Sequence, residues 1–281
     1  MRYFWDYIVL VLSILGSIAS IIGICINGDI KFIVAIVVLG FLLLISMIHD
    51  WHFTYKYRIE SCFRGVFAEI NSANSLIKDD EITNIQGATD LLSTYCESIS
   101  TIFSKIKGHR IGVCVKLLVA EGGSANLISQ ARDIYSKSHN RKTGSSDETK
   151  HSLELNSDFS FIYNNTDSDL NNSSFFHSPD LANESDYRNS RLKDWTCPKM
   201  PFLPKSFVRG IKWPLPYRST IVVPIWRLDS DFHTKENLRG FLCIDSPKTK
   251  AFNKSVDVEI LRGFSDKIAP IIDKLIILIK G

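Results

Sequence analysis

The 281-residue chain lacks most of the local signatures that name a reaction. It has no G-x-S-x-G elbow, no H-E-x-x-H helix, no Walker loop and no G-x-G-x-x-G turn, so the common hydrolase, zinc-protease, phosphate-loop and dinucleotide chemistries have no sequence support. Its six cysteines (Cys25, Cys62, Cys96, Cys114, Cys197 and Cys243) include no C-x-x-C pair. Neither a zinc ribbon nor a disulfide framework is indicated, and a free Cys in an apolar pattern is usually a small core residue. The seven histidines are dispersed; His49 and His52 have i, i+3 spacing but no third ligand. Glycine (15) and proline (9) are too few for a collagen-like or low-complexity chain. A net charge of +3 is too small to draw the chain to nucleic acid, and no nucleic-acid partner is expected. No metal site is expected, the sequence leaves any cofactor open, and the chain is not expected to be an enzyme.

Charge is also missing locally. Residues 7–26 and 32–48 contain no Asp, Glu, Lys or Arg. Twenty helical residues rise about 30 Å, the thickness of a bilayer's hydrocarbon core. The two runs therefore predict a two-span transmembrane hairpin within residues 1–50, turned at Asn27-Gly28-Asp29. A cleaved signal peptide would need a shorter apolar run and a small-residue cleavage site. Arg2 precedes the first run, and Lys56, Arg58 and Arg64 follow the second. The positive-inside rule then predicts a multi-pass protein of the inner (cytoplasmic) membrane, with both termini cytoplasmic and the lipid bilayer as a partner. Ser13, Gly16, Ser20, Gly23 and Asn27 form a narrow small-residue face suited to helix packing, either with the second span or between subunits.

From residue 51 onward the chain is wetter. Residues 51–79 predict a juxtamembrane connector helix, with Ile59, Phe63, Val66, Ile70, Ala73 and Ile77 at steps of four and three. It reads either as a dimer stalk or as a helix packed on the next domain. Residues 80–281 predict a cytosolic domain. A helix over 82–107 carries Ile85, Ala88, Leu92, Tyr95, Ile99, Ile102 and Ile106 on one stripe and ends at Gly108. A strand over 110–119 puts Ile111, Val113, Val115 and Leu117 on one face. Residues 136–150 read as a polar loop, and residues 151–210 are weakly periodic. Strands over 219–228 and 238–246 form a hairpin, and Pro224 requires an edge or a bulge. A final helix covers 255–280 and contains Pro270. This order predicts an α+β fold, an antiparallel sheet flanked by helices.

The strand S-T-I-V-V-P-I from Ser219, then R-G-F-L-C-I-D-S from Arg239, then Phe252, Asp257 and Leu261, resembles the closing strands and last helix of GAF domains. The resemblance covers residues 80–281, with its specific signature in 217–281. Residues 120–210 depart from the family, with no N-K-F-D-E-like motif and no Cys in a bilin-attachment context. The resemblance implies a sensory module with a pocket between the sheet and the irregular segments of one face. Such modules bind small molecules or dimerise, and are not catalytic by themselves.

Candidate ligand contacts fall mainly in the divergent middle: Arg132 and Asp133 after the first strand, Arg141, Asn165 and Asp167, then Tyr187, Arg191 and Trp195, and Tyr217, Arg218 and Ser219 entering the P-I strand. Arginine offers forked donors to phosphate or carboxylate, and aromatic rings offer faces for a base. A small anionic or nucleotide-like ligand is one reading; mutual pairing that holds a loop-rich segment together is the other. Two functions are expected. One is a membrane-anchored sensor for signal transduction, acting as a homodimer or higher oligomer. The alternative is a two-span effector of bacterial antiviral defence gated by a nucleotide signal.

Overall fold

A computed structural model describes residues 82–121, 124–138, 150–166, 175–192, 195–198, 204–228 and 234–280, with scattered positions between 17 and 75. The chain divides into two compact units, residues 1–61 and 62–281. The expected spans at 7–26 and 32–48 lie almost wholly outside the described residues. Among the described residues no helix is long and apolar enough to cross a membrane. On that finding the expected multi-pass, inner-membrane location is withdrawn, and the membrane-effector alternative that depends on it has no support.

In the second unit, helix α1 (Ile85–Lys107) starts at Asn84, whose side chain accepts from the Gly87 N–H at 2.7 Å. This fills one of the donors left open at a helix start. The helix ends at Gly108 in the left-handed region, φ 67°, the backbone a Cβ disfavours. Strands β1 (Gly112–Glu121) and β2 (Ser124–Arg132) pair antiparallel, and α2 (Ile134–Ser138) follows. The middle segment contributes β3 (Lys150–Ser152), α3 (Ser157–Asn165), β4 (Phe176–Ser178), a single 3-10 turn (Ser190–Leu192) and α4 (Lys205–Ile211). Strands β5 (Ser219–Trp226) and β6 (Leu238–Ser246) and helix α5 (Val256–Lys280) close the chain.

One six-stranded antiparallel sheet results, in the order β3-β2-β1-β6-β5-β4. This is the expected α+β arrangement, an antiparallel sheet flanked by helices. Successive side chains of a strand point to opposite faces, and the two faces here are covered differently. Val113, Val115, Leu117, Ile221, Val223, Ile225, Leu242 and Ile244 share one apolar core with α1 and α5. Cys114, Val222, Phe241 and Cys243 face the other way, against Phe159 and Ile162 of α3. Phe63 and Phe67 stack on Phe264 of α5, with ring centroids 6.2 and 5.4 Å away. That stretch of the expected connector is therefore packed on the domain rather than standing clear of it as a stalk.

Two sequence details take physical form in the sheet. Pro224 has no N–H, and its backbone nitrogen turns toward the β4 side of β5. Strand β4 pairs only with Thr220, Ile221 and Val222, so among the described residues the missing donor faces no strand. Gly240 lies across from Leu117, and a Cβ there would run into the Lys116 carbonyl oxygen. No residue with a side chain fits at that crossing.

Candidate functional site

The layer opposite α1 and α5 holds a small polar pocket, open to solvent at its mouth. Its floor comes from alternate positions of three adjacent strands: Cys114 and Lys116 on β1, Cys243 and Asp245 on β6, and Thr220 and Val222 on β5. The expected β1 face of Val113, Val115 and Leu117 already implied that Cys114 and Lys116 point the other way.

Arg132 reaches the same face through a bulge. Along β1 and β2 the partners run Val115 to Ala131 and then Lys116 to Ser129, leaving Gln130 as the extra residue. Gln130 and Ala131 both turn to the helix layer: Gln130 donates to Thr89 of α1 at 2.8 Å, and Ala131 joins the α1 and α5 core. The slip reverses the parity of the strand, so Arg132 lands opposite Cys114, on the pocket side. The Ser129 hydroxyl accepts from both Lys116 Nζ (3.1 Å) and Arg132 Nη2 (3.2 Å), which holds the two cations side by side.

The far wall is built by docking residues 187–191 on the start of α3. Ser157 N–H donates to the Arg188 carbonyl at 3.1 Å, and Arg188 N–H returns a bond to Ser157 Oγ at 3.0 Å. Asn156 Oδ1 accepts from Ser190 N–H at 3.2 Å, and Ser190 Oγ lies 3.1 Å from His151 Nδ1 of β3. These bonds bring Asn189, Ser190 and Arg191 to the mouth. Asp158, in the first turn of α3, takes the Tyr187 hydroxyl at 3.4 Å, and Asn189 Nδ2 donates to the hydroxyls of Tyr187 and Tyr217 at 3.1 and 3.3 Å. On the floor, Thr220 Oγ1 donates to Asp245 Oδ1 at 2.8 Å.

The electrostatics divide the pocket into two sides. Burial, and then the charges of Lys116, Arg191 and Arg132, push His151 down to about 4. Burial lowers Lys116. Burial raises Asp158 to about 7 against the pull of Lys116, with Asp245 adding to the rise. Near neutral pH His151 is uncharged, Asp158 is close to half protonated, and Lys116, Arg132 and Arg191 share one small space.

The sequence candidates divide between this pocket and sites elsewhere in the domain. Arg132, Arg191 and Tyr217 line the pocket, and Tyr187 stands behind it on Asp158. Asp133 is fully buried, accepting from Val113 N–H at 2.8 Å and Ser136 N–H at 2.9 Å, and so caps α2. Arg218 forks onto Asp180 with two bonds of 2.8 Å and also donates to the Gly210 carbonyl at 2.7 Å. Ser219 donates to the Lys248 carbonyl at 2.7 Å. Asn165 bonds the Phe161 carbonyl at the end of α3, and Trp195 packs edge-on to Trp213 at 5.9 Å. These five serve local structure, by the mutual-pairing alternative. Arg141 and Asp167 lie outside the described residues. Cys114, Lys116, His151, Asn156, Asp158, Phe159, Asn189, Ser190, Thr220, Val222, Cys243 and Asp245 complete the lining and were not among the candidates.

Neither a protein-family profile nor a curated protein sequence matches the chain. Similar solved structures include a type II free methionine-R-sulfoxide reductase from Thermoplasma acidophilum, at 16% identity over 67% of this chain and 96% of that one, TM-score 0.39. They also include the GAF domain of an Acinetobacter phosphoenolpyruvate-protein phosphotransferase, at 10% identity over 76% and 92%, TM-score 0.41. A third is the reduced form of a Staphylococcus aureus free methionine-R-sulfoxide reductase (fRMsr), at 14% identity over 67% and 92%, TM-score 0.36. Two of these three are enzymes. The expectation that the chain is not an enzyme is therefore withdrawn, and identities this low assign it no particular reaction.

Proposed function

We propose that residues 80–281 act as a small-ligand sensory domain whose ligand carries a carboxylate or phosphate. The observation that carries this reading is the convergence of Lys116, Arg132 and Arg191 on one pocket whose facing carboxylates are Asp158, raised to about 7, and Asp245. Clustered cations around a partly enclosed space favour a bound anion. Arginine forks suit planar or tetrahedral oxyanions, and Lys116 adds a point charge at the floor. Asn156, Asn189 and Ser190 offer neutral hydrogen bonds for the rest of a small polar molecule.

Of the aromatic faces expected for a nucleotide-like ligand, only Tyr217 lines the pocket. Tyr187 and Trp195 pack against Trp213, at 6.2 and 5.9 Å between centroids, and Phe159 lies under Lys116 Nζ at 5.3 Å. Recognition by charge and hydrogen bonds remains. Output through self-association belongs to the same proposal.

Thermal melting and calorimetric titration of the full chain at low ionic strength test it, with inorganic phosphate, sulfate, small mono- and dicarboxylates and nucleoside monophosphates as probes. At least one anion should raise Tm and bind, and Arg191→Ala, an exposed side chain at the mouth, should weaken that binding at least about tenfold with its own Tm unchanged. An unchanged melt with every anion, or equal binding by the variant, rejects the site. Sedimentation with and without the bound anion reads the association.

A further inference from the structure

Two pocket side chains have no part in anion binding. Cys114 on β1 and Cys243 on β6 are register partners, both buried, and both line the pocket as free thiols. The ladder fixes what kind of pair they are. The Val113 carbonyl accepts from Asp133 N–H at 3.2 Å and its N–H donates to Asp133 Oδ2 at 2.8 Å, so Val113 directs its backbone toward β2. Successive residues of a strand direct their backbone groups to opposite sides, and Cys114 therefore faces β6. On β6 the Ser246 carbonyl accepts from Arg218 N–H at 2.7 Å on the β5 side. Alternating back along the strand turns Cys243 toward β1.

The two cysteines thus form a hydrogen-bonded cross-strand pair, with Cα atoms about 5.5 Å apart. That separation lies inside the disulfide range of about 4.4–6.8 Å. Opposed Cβ atoms in a sheet are about 4.5–5.5 Å apart, whereas a disulfide draws them to about 3.5–4.5 Å. Closing the bond pinches β1 against β6, and a strained disulfide is easily reduced.

We propose that Cys114 and Cys243 are a reversible dithiol–disulfide site, oxidised by a small peroxide that enters through the pocket. The Cys114 thiolate attacks one peroxide oxygen, the O–O bond breaks, hydroxide leaves and a sulfenic acid forms. The Cys243 sulfur then attacks the sulfenic sulfur, the S–O bond breaks, and a second hydroxide leaves as the S–S bond closes. The two thiol protons and the two hydroxides give two waters; the sulfurs lose two electrons and the peroxide gains them. Lys116 lies two residues from Cys114, so the pinch also displaces the pocket's cationic wall. The site does not depend on which ligand the cations hold.

The test treats the full-length folded chain with hydrogen peroxide, blocks remaining thiols with iodoacetamide in denaturant, and maps unreduced peptides by mass spectrometry. A Cys114–Cys243 cross-linked peptide should dominate and should disappear with mild dithiothreitol. Cys96, fully buried in the α1 and α5 core, should be recovered alkylated. In Cys114→Ser no cross-link from Cys243 should form. The proposal is overturned if both cysteines are recovered alkylated under peroxide that has oxidised the half-buried Cys197. It is equally overturned if either stops as an uncoupled sulfenic or sulfinic acid, or if the cross-link forms only after unfolding.

Discussion

The two faces of the sheet are written by the same strands, and they differ in nearly every physical respect. On β1, Val113, Val115 and Leu117 enter an apolar core with α1 and α5, while Cys114 and Lys116 enter the pocket layer. On β6, Leu242 and Ile244 go one way and Cys243 and Asp245 the other. One face is closed by two long helices over an apolar core. The other is closed by short helices, a 3-10 turn and loops, and it buries or half-buries Lys116, Arg132, His151, Asp158 and Asp245. An apolar interior gives stability in proportion to the area removed from water. Buried charges give little net stability and great sensitivity to what binds them. The difference teaches that the helix face holds the fold while the pocket face is free to respond.

The largest loss of stability is therefore predicted on the helix face. Phe264 is fully buried between the sheet and the rings of Phe63 and Phe67. Phe264→Ala should cost about 3–5 kcal/mol, read as a fall in the midpoint of urea unfolding. Whatever fraction stays folded should bind anions as the parent does. A loss of binding in that folded fraction would show that the two faces are not independent.

The second effect falls on the seam that both faces share. Gly240→Ala places a methyl group against the Lys116 carbonyl, where β1 and β6 cross. The strands must part there, at a cost of about 1–3 kcal/mol, and Lys116 is carried away from Ser129. Denaturation should report the first and anion titration the second, so this substitution alone should damage both faces together.

How far these faces were legible depends on periodicity. The α1 stripe could be read because every third or fourth residue is apolar, and Leu92, Tyr95, Ile99 and Ile102 are indeed buried. The β5–β6 hairpin could be read because its strands are short, apolar and carry Pro224 and Gly240. Strand β2 could not: Asn126, Ser129 and Gln130 make it polar, and the bulge at Gln130 breaks the alternation that would have placed Arg132. Asp158 and His151 come from short elements in a segment without period, and they meet Lys116 only through sheet pairing. Arg218, Ser219 and Asp133 looked equally suited to a ligand, yet Asp180, Lys248 and Val113 engage them. Residue type marked the chemistry; only long-range pairing shows which groups remain turned toward a cavity.

A third test separates binding from stability on the pocket face. Lys116→Met keeps the aliphatic stem and removes a cation whose protonated form burial disfavours. Stability should move by no more than about 1 kcal/mol in either direction, while affinity for the bound anion falls at least about tenfold. A large destabilisation would mean that Lys116 holds Ser129 and β2 in place more than it serves a ligand.

The smallest expected effect comes from two pocket groups that titrate against one another. Asp158 moves from 3.8 to about 7 on folding. Between those values the folded state holds a proton that the unfolded state has released, so stability falls as pH rises from about 4 to about 7. His151 moves from 6.5 to about 4. Between those values the unfolded state holds the extra proton, so stability rises over nearly the same window. The Asp158 slope is at most about 1.4 kcal/mol per pH unit, that of the partly exposed His151 is smaller because solvent screens it, and their signs are opposite. The parent chain should therefore show little pH dependence from this pair between about pH 4 and 6.5. Asp158→Asn leaves the rising slope of His151 exposed, and His151→Gln leaves the falling slope of Asp158. Urea unfolding across that range distinguishes them: parallel curves for parent and both variants would mean that the two groups keep their ordinary values, and that the pocket is wetter than its burial implies.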